Sequence, residues 1–239
     1  MGEDQFQMSI KRPFGPRIMA AKLPENIVNK FINLTDKLIA DKKRKSWGCA
    51  LAGQIEDEVL ISNEILSKEK VFCNFGGKQS KNYSLYSIIN QYLYAYVQNC
   101  LKENFGFNDD AHSLNVGISD MWFNEMKAGE YNPVHYHTKC LVSSVLYLKL
   151  PKNQPKRNIE CKDDKDGDIE FIDRSVAPDF LTACSYSIKP QVGVMYMFPS
   201  SLLHTVYPFL GNEVRRSIAW NGIYKMIDKE TNQIKLGVR

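Results

Sequence analysis

The sequence predicts a mostly-β domain, a β-sandwich or small barrel, with N-terminal helices packed on one outer face. Two observations lead to this class. Long segments with helical spacing of apolar residues occupy the first half of the 239 residues. After Asp110 the apolar spacing changes from about 3.6 to about 2, and short strands separated by turns follow. Helices followed by strands, with no linker between them, are typical of a single α+β domain in which helices cover a sheet.

The first half of the chain is predicted to hold a strand and three helices. Phe14–Leu23 has the pattern of an opening strand. Pro24 suits the first turn of a helix, because its missing amide hydrogen would be unpaired there anyway, and helical spacing continues to about residue 41. A short helix is expected around Glu56–Leu66 and a second long helix over Tyr83–Phe105. The broad, partly aromatic face of this last helix predicts packing on a sheet and comprises Leu85, Ile88, Ile89, Tyr92, Leu93, Tyr96, Val97 and Leu101.

The second half of the chain alternates apolar and polar residues in short runs, as half-buried strands do. The polar residues 152–166 interrupt these runs and predict a loop, a candidate lid over a binding site. The predicted strands are Leu114–Met126, Cys140–Leu150, Gly167–Asp173, Ser185–Lys189, Gly193–Phe198, His204–Phe209, Arg215–Met226 and Gln233–Val238.

Composition and charge exclude several classes of protein. The net charge is +4, from 31 basic and 27 acidic residues, which gives no indication of nucleic-acid binding. No apolar run reaches the ~20 residues of a membrane span, and the polar start Met1–Lys11 does not resemble a signal peptide. The six cysteines form no CxxC pair, a pattern typical of free thiols in a reducing compartment. We therefore expect a cytoplasmic protein with no membrane partner.

Three of the four histidines are placed where a small β-barrel could hold a metal ion. His135 and His137 are two residues apart, so on a strand both imidazoles point to the same side. His204 begins a later apolar strand. A histidine pair and a distant third histidine leave coordination positions open, which suits a catalytic metal. The HxH spacing alone also occurs by chance, and many buried histidines only bond a carbonyl group.

An arginine and a serine on the strand after His204 indicate an anion site. Arg215 and Ser217 share one face of this predicted strand, and Arg216 lies on the other. A guanidinium with a hydroxyl beside it can bind a carboxylate through two hydrogen bonds, and Tyr147 could donate a third. The alternative is a surface arginine, and the spacing does not decide which of the two arginines faces inward.

Several motifs in the same order resemble the Fe(II)- and 2-oxoglutarate-dependent oxygenases, in particular small bacterial and phage members related to prolyl 4-hydroxylases. The resemblance covers roughly residues 112–226 and the start Phe14-Gly15-Pro16. Its elements are Trp122-Phe123-Asn124, Gly129, His135-x-His137, Ser143-Ser144-x-x-Tyr147, Gly167-x-Ile169-x-Phe171, Phe198-Pro199-Ser200 with His204, and Arg215-x-Ser217-Ile218-Ala219-x-Asn221.

The resemblance implies a double-stranded β-helix (a jelly roll, cupin-like), with the N-terminal helices packed on one sheet. It implies one oxygenase domain over residues 1–239, with residues 1–111 as a largely helical support and residues 112–239 as the core. The implied cofactors are Fe(II), the cosubstrate 2-oxoglutarate, and O2. The implied activity is hydroxylation of an unidentified substrate, a small molecule or a protein side chain, coupled to decarboxylation of 2-oxoglutarate to succinate and CO2.

The resemblance also implies roles for individual residues. His135 and His204 would bind iron, and His137 stands where most of the family has Asp or Glu. Either His137 completes a three-histidine metal and catalytic site, the interpretation favoured by its spacing, or an acid such as Asp173 or a water does so instead. The residues implied to bind 2-oxoglutarate or to line its cavity are Arg215, Ser217, Tyr147, Asn124 and Asn221.

Two alternative functions fit the same residues. One is a three-histidine cupin metalloenzyme that does not use 2-oxoglutarate, with Arg215 binding a carboxylate of the substrate. The other is a non-catalytic jelly-roll binding module. Tight binding of a divalent metal would argue against the second, and consumption of 2-oxoglutarate would argue against both.

Overall fold

A computed structural model gives the architecture as two antiparallel sheets that face each other, with helices on the outer side of the larger sheet. The structure describes residues 7–11, 15–74, 80–152, 155, 164–173 and 184–237. The helices are α1 (Glu25–Ala40), α2 (Asn63–Lys68) and α3 (Leu85–Phe105), with a short 3-10 turn at Gly48–Ala50. The strands are β1 (Gln7–Lys11), β2 (Ile18–Lys22), β3 (Asp57–Leu60), β4 (Lys70–Cys73), β5 (Lys81–Ser84), β6 (His112–Met126), β7 (Asn132–His135), β8 (Val142–Lys149), β9 (Ile169–Ile172), β10 (Ser185–Ile188), β11 (Val194–Pro199), β12 (Leu203–Val206), β13 (Arg215–Asp228) and β14 (Ile234–Gly237).

The strand order defines a jelly-roll sandwich. The larger sheet has eight strands in the order β1-β2-β11-β8-β13-β6-β3, with β14 paired to β13. The smaller sheet has four strands in the order β10-β9-β12-β7, and β4 and β5 form a separate hairpin. Strands that are distant in sequence are neighbours in both sheets, so segments from both halves of the chain meet in the space between the sheets. This architecture confirms the predicted mostly-β fold with N-terminal helices on one sheet.

The two long helices form where the apolar spacing predicts them. α1 follows Pro24 and buries a stripe that includes Phe31. The Ser84 hydroxyl accepts a hydrogen bond from the Ser87 amide and so caps the start of α3, and Gly106 ends α3 in the left-handed conformation at φ 63°. The buried face of α3 is the predicted one, Leu85, Ile88, Ile89, Tyr92, Leu93, Tyr96, Val97 and Leu101.

The larger sheet is buried on both faces, so it separates two apolar cores. On β13, Ile218 and Trp220 point toward the helices and pack in the larger core. On the neighbouring strands, Val145 and Phe198 point the other way, toward the smaller sheet, and pack in the second core. Alternation along each strand therefore decides whether a side chain supports the helices or faces the space between the sheets.

The prediction of a short helix around Glu56–Leu66 is wrong for the first half of this segment. Asp57–Leu60 forms strand β3, which pairs with β6, and helix α2 starts only at Asn63, where the Ser62 hydroxyl caps it. The alternation of this segment explains the strand, because Val59 packs in the helix-facing core while Glu58 points to the inner face of the sheet. Pairing with β6 at the edge of the larger sheet therefore makes this segment a strand, although its local sequence favoured a helix.

The other predicted strands are present within one to four residues of their expected ends. The N-terminal region also contributes β1, β2 and β3 to the larger sheet, so the boundary between support and core at residue 112 stays a prediction. Most of the predicted loop 152–166 and Phe14 lie outside the described residues. Within the described part of the chain, no helix has the length and apolar character needed to cross a membrane.

Candidate functional site

A cavity of about 210 Å³ opens between the two sheets. The inner face of the larger sheet contributes one wall, and strands β7 and β12 of the smaller sheet contribute the other. All three predicted metal ligands line this cavity, and so do Asn124, Arg215, Ser217 and Asn221. The sandwich therefore brings together residues that are spread over almost 100 positions of the sequence.

The three histidines form a compact group. His135 ends β7 and lies opposite His204 of β12 in the sheet register. His137 lies just past the end of β7, where its backbone amide donates to the Ser200 carbonyl at 2.9 Å. The ring centroids are 4.2 to 5.3 Å apart, and one nitrogen from each ring lies within 4.8 Å of the other two. Among the described residues, no Asp, Glu or Cys joins this group.

Each imidazole is oriented by an oxygen acceptor at its Nδ1 atom. The Nδ1 of His135 bonds the Pro133 carbonyl at 2.7 Å, and the Nδ1 of His204 bonds the Leu202 carbonyl at 3.0 Å. The Nδ1 of His137 bonds the side-chain oxygen of Asn221 at 2.6 Å. A carbonyl oxygen only accepts, so each Nδ1 carries the proton and each Nε2 keeps a free lone pair. Three Nε2 lone pairs are therefore available for one metal ion.

The environment keeps all three rings uncharged at neutral pH. Burial lowers the pKa of His135, and burial lowers the pKa of His137 to about 4, partly opposed by the hydrogen bond to Asn221. Burial and the two neighbouring histidines hold the pKa of His204 well below its ordinary value. A neutral imidazole is the form that binds a metal, so no proton has to be displaced from these rings at pH 7.

A buried arginine lies in the same cavity. Arg215 is 2% exposed, and its guanidinium lies over the Tyr147 ring, 4.9 Å from the centroid. Its Nη1 donates to the Ser217 hydroxyl at 3.4 Å, but its Nε and Nη2 atoms are buried without a hydrogen-bond partner. It forms no ion pair with a carboxylate of the described residues. Burial lowers the pKa of Arg215, yet a guanidinium stays protonated at neutral pH, so a buried positive charge faces the cavity.

The neighbouring arginine occupies the opposite face of β13 and is fully paired. Arg216 donates to both carboxylate oxygens of Glu125 at 2.5 and 2.7 Å and to Asp36 at 2.6 Å. These acids raise the pKa of Arg216 against the opposing effect of burial. Neither arginine is at the surface, which corrects the alternative that one of them would be. Arg215 is the one that faces the cavity.

The remaining predicted residues surround these groups. Tyr147 is buried beneath Arg215; burial raises the pKa of its hydroxyl to about 12, and the Arg215 charge acts in the opposite direction. Asn124 is 6% exposed, and its side-chain oxygen is unpaired among the described residues. Asn221 lines the cavity but also holds His137, a contact that the sequence did not predict. Asp173, the alternative ligand, is buried but does not belong to the histidine group.

One residue of the cavity was missed by the sequence interpretation. Glu58 of β3 is 2% exposed, and its Oε2 atom has no hydrogen-bond partner in the part of the chain that the structure describes. Burial and the nearby Glu130 raise the pKa of Glu58 to about 7. The only sequence signal was the alternation of Asp57–Leu60, which would have aimed Glu58 inward if this segment had been assigned as a strand.

A family model matches this part of the chain. Residues 120–221 match the model described as "Putative 2OG-Fe(II) oxygenase". This range contains the histidine group, Arg215 and Ser217. A comparison with curated proteins gives no match.

Solved structures of similar architecture come from bacteria and from an animal. A Pseudomonas putida prolyl-4-hydroxylase has 17% sequence identity and a TM-score of 0.45, with 90% of this chain and 91% of that chain covered. An oxidoreductase of the 2OG-Fe(II) oxygenase family from Burkholderia pseudomallei has 14% identity and a TM-score of 0.44, with 85% and 84% covered. A Trichoplax adhaerens prolyl hydroxylase, in complex with a hypoxia inducible factor peptide fragment, has 13% identity and a TM-score of 0.44, with 90% and 82% covered.

The sequence motifs, the jelly-roll fold and the family model agree on this part of the molecule. The strands that carry the histidine group lie within residues 120–221, the part of the chain that matches the 2OG-Fe(II) oxygenase family model.

Proposed function

We propose that the protein is an Fe(II)- and 2-oxoglutarate-dependent hydroxylase, with residues 1–239 acting as one oxygenase domain. One observation supports this most strongly. The cavity combines three neutral imidazoles and, on the facing sheet, a buried arginine that forms no ion pair among the described residues and has two unpaired nitrogen donors there. A metal ion fits the first group, and a carboxylate fits the second.

His135, His137 and His204 would hold the iron through their Nε2 atoms. Three imidazoles leave coordination positions open, as a catalytic metal requires. They also leave the metal one unit more positive than two imidazoles and a carboxylate would. We infer that this charge favours a bidentate anionic ligand, the keto-acid end of 2-oxoglutarate.

Arg215 would bind the distal carboxylate of the cosubstrate. Its Nε and Nη2 atoms supply two donors, and a carboxylate accepts such a pair in a planar arrangement. The Ser217 hydroxyl accepts a hydrogen bond from Arg215 and the Tyr147 ring lies against its guanidinium, so both hydroxyls would complete the site. When iron and 2-oxoglutarate are bound, they supply the oxidising power by coupling reduction of O2 to the release of succinate and CO2.

Aromatic side chains pack against the histidine group. The Trp122 ring stacks on His137 with centroids 5.8 Å apart, and the Phe198 ring meets His204 edge to face at 4.8 Å. These rings would shield one side of the metal position from water and would restrict the orientation of the imidazoles. We propose that this protects the chain and the substrate from side reactions.

Metal content and 2-oxoglutarate turnover test this function together. We expect one Fe(II) per chain, and succinate formation in air that depends on iron. His204→Ala should lose both, since this ring is the most deeply buried of the three. His112→Ala, at a histidine outside the cavity, is the matched control and should lose neither. Iron that binds at His204 without any consumption of 2-oxoglutarate would contradict the proposal and favour the three-histidine cupin enzyme.

Asn221 provides a prediction about the orientation of His137. Asn221→Ala removes the acceptor at the His137 Nδ1 atom, so the ring can rotate or change tautomer. Loss of such a supporting hydrogen bond typically lowers metal affinity by about 10- to 100-fold. Competition with a calibrated chelator should show this loss for Asn221→Ala. Asn221→Asp, which keeps an acceptor at this position, should retain most of the affinity, and equal losses in both variants would contradict the role of the bond.

A further inference from the structure

The cavity holds a second buried ionisable group, Glu58, whose ionised form has a charge opposite to that of Arg215. Glu58, Asn124, Ser217 and Tyr147 are consecutive cross-strand partners on β3, β6, β13 and β8, so they form one row on the inner face of the larger sheet. Neighbouring strands are about 4.8 Å apart, which places the Glu58 backbone about 10 Å from that of Ser217. Arg215 does not contribute to the pKa shift of Glu58, nor Glu58 to that of Arg215.

The Glu58 end of this row holds two buried acceptors. The Glu58 Oε2 atom and the Asn124 side-chain oxygen have no hydrogen-bond partner among the described residues. No cation of the described residues forms an ion pair with Glu58, and the one charge that acts on it is that of Glu130, which is also negative. A buried carboxylate and a buried amide oxygen without donors cost free energy until a ligand supplies the donors.

Two side-chain oxygens of the cavity, Glu58 Oε1 and Asn132 Oδ1, lie close to each other beside Gly53. A Cβ atom built on Gly53 would lie within 2.6 Å of both the Glu58 Oε1 atom and the Asn132 side-chain oxygen. The two oxygens are therefore no more than about 5 Å apart. An ammonium nitrogen donates over about 2.7–3.2 Å, so one ammonium group can bond both oxygens from a position between them.

We propose that this end of the cavity binds a primary ammonium group of the substrate, held by Glu58 and Asn132 and, through Asn124, by a third acceptor. This inference rests on the proposed function, since it names the substrate class of the same cavity. The carboxylate of 2-oxoglutarate would occupy the Arg215 end and the ammonium the Glu58 end. A carbon to be oxidised would then lie between the two, beside the histidine group. The ammonium can belong to a lysine side chain or to a small free amine.

Two pairs of probes test the proposal by calorimetry. Nα-acetyl-lysine amide and Nα-acetyl-norleucine amide differ by the ammonium of a side chain, and pentylamine and pentanol differ by the ammonium of a small molecule. We expect the cationic member of at least one pair to bind at least ten-fold tighter. A preference within the first pair alone would assign the ammonium to a lysine side chain. A preference within the pentyl pair would assign it to a free amine.

Variants assign this preference to the proposed site. Glu58→Gln should reduce it to less than two-fold. Gly53→Ala places a methyl group within 2.6 Å of the Glu58 and Asn132 oxygens, so it should displace them and weaken binding of the cationic probe at least five-fold. Glu56→Gln is the matched control, because this nearby carboxylate is 74% exposed, and it should change nothing. Equal binding of cationic and neutral probes, no binding of any probe, or a preference that survives in Glu58→Gln would overturn the proposal.

The titrations are made on the purified protein and repeated with Zn(II) and 2-oxoglutarate present. Preference for the cationic probe without 2-oxoglutarate binding would contradict the proposed function but support the ammonium site. Binding of 2-oxoglutarate without a preference for the cationic probe would support the proposed function but contradict the ammonium site. The two failures are therefore distinguishable.

Discussion

Replacing Arg215 with Met should abolish 2-oxoglutarate binding without destabilising the protein. The variant removes the buried guanidinium that faces the cavity, and truncating one partner of a buried charged pair costs about 2–5 kcal/mol of binding. We therefore expect affinity for 2-oxoglutarate to fall at least about 30-fold, as measured by calorimetry on Zn(II)-loaded protein. The ligand-free variant should unfold at the same denaturant concentration as the wild type or a higher one, because an unpaired buried charge is replaced by an apolar side chain.

The neighbouring arginine provides the control, because it is equally buried but fully paired. Arg216→Lys cannot reproduce the two bonds to Glu125 together with the bond to Asp36. We expect the free energy of unfolding to fall by about 2 kcal/mol and 2-oxoglutarate affinity to stay within two-fold. Loss of 2-oxoglutarate binding in Arg216→Lys, or unfolding of Arg215→Met, would show that the roles of the two faces of β13 have been assigned the wrong way round.

Glu58→Gln should stabilise the ligand-free protein increasingly as the pH rises. The folded state holds the Glu58 pKa at about 7, above the ordinary value of 4.5, so the folded state binds this proton more tightly than the unfolded chain does. The free energy of unfolding therefore falls as the pH rises from about 4.5 to about 7. Above that range it stays lower by the full amount that corresponds to the pKa shift. A shift of this size corresponds to about 3 kcal/mol. Between pH 5 and pH 8 we expect the variant's advantage in chemical denaturation to grow by about 2 kcal/mol.

The control for this prediction is an exposed glutamate, Glu64, whose pKa in the folded protein is lowered from its ordinary value and not raised. Glu64 pairs with Lys68 on the surface of α2, and that pairing lowers its pKa. It is ionised in both states from pH 5 to pH 8, so Glu64→Gln should give a difference that does not change over this range. If the free energy of unfolding of Glu58→Gln follows the same pH dependence as that of the wild type, Glu58 is not a buried carboxyl with a raised pKa.

The fold could be predicted from the sequence because apolar residues recur at regular helical or strand spacing along most of the chain. The eight apolar residues of α3 repeat at helical spacing, and the strands from Leu114 onward alternate or form short apolar runs bounded by turn residues. The segment Glu56–Leu66 failed because its pairing with β6 depends on a contact across the sheet, which no local pattern records. An edge strand of four residues has too few positions to distinguish it from a helix start.

The candidate site was predicted only in part, for the same reason. The HxH spacing and the strand after His204 placed the three histidines and Arg215 in one cavity, although their roles as ligands stay predictions. Alternation could not decide between Arg215 and Arg216, because both faces of β13 are buried. The bond between Asn221 and His137 joins residues 84 positions apart, and Glu58 faces the cavity only because β3 adds to the sheet edge.

An anaerobic absorbance titration tests the central claim most directly. The protein is loaded with one equivalent of Fe(II), and 2-oxoglutarate is added without O2 or any other substrate. A weak visible charge-transfer band that saturates with 2-oxoglutarate, is absent in His204→Ala and is lost in Arg215→Met is the predicted result. Iron bound by the three histidines with no such band at saturating 2-oxoglutarate would contradict the assignment of this cavity to 2-oxoglutarate chemistry.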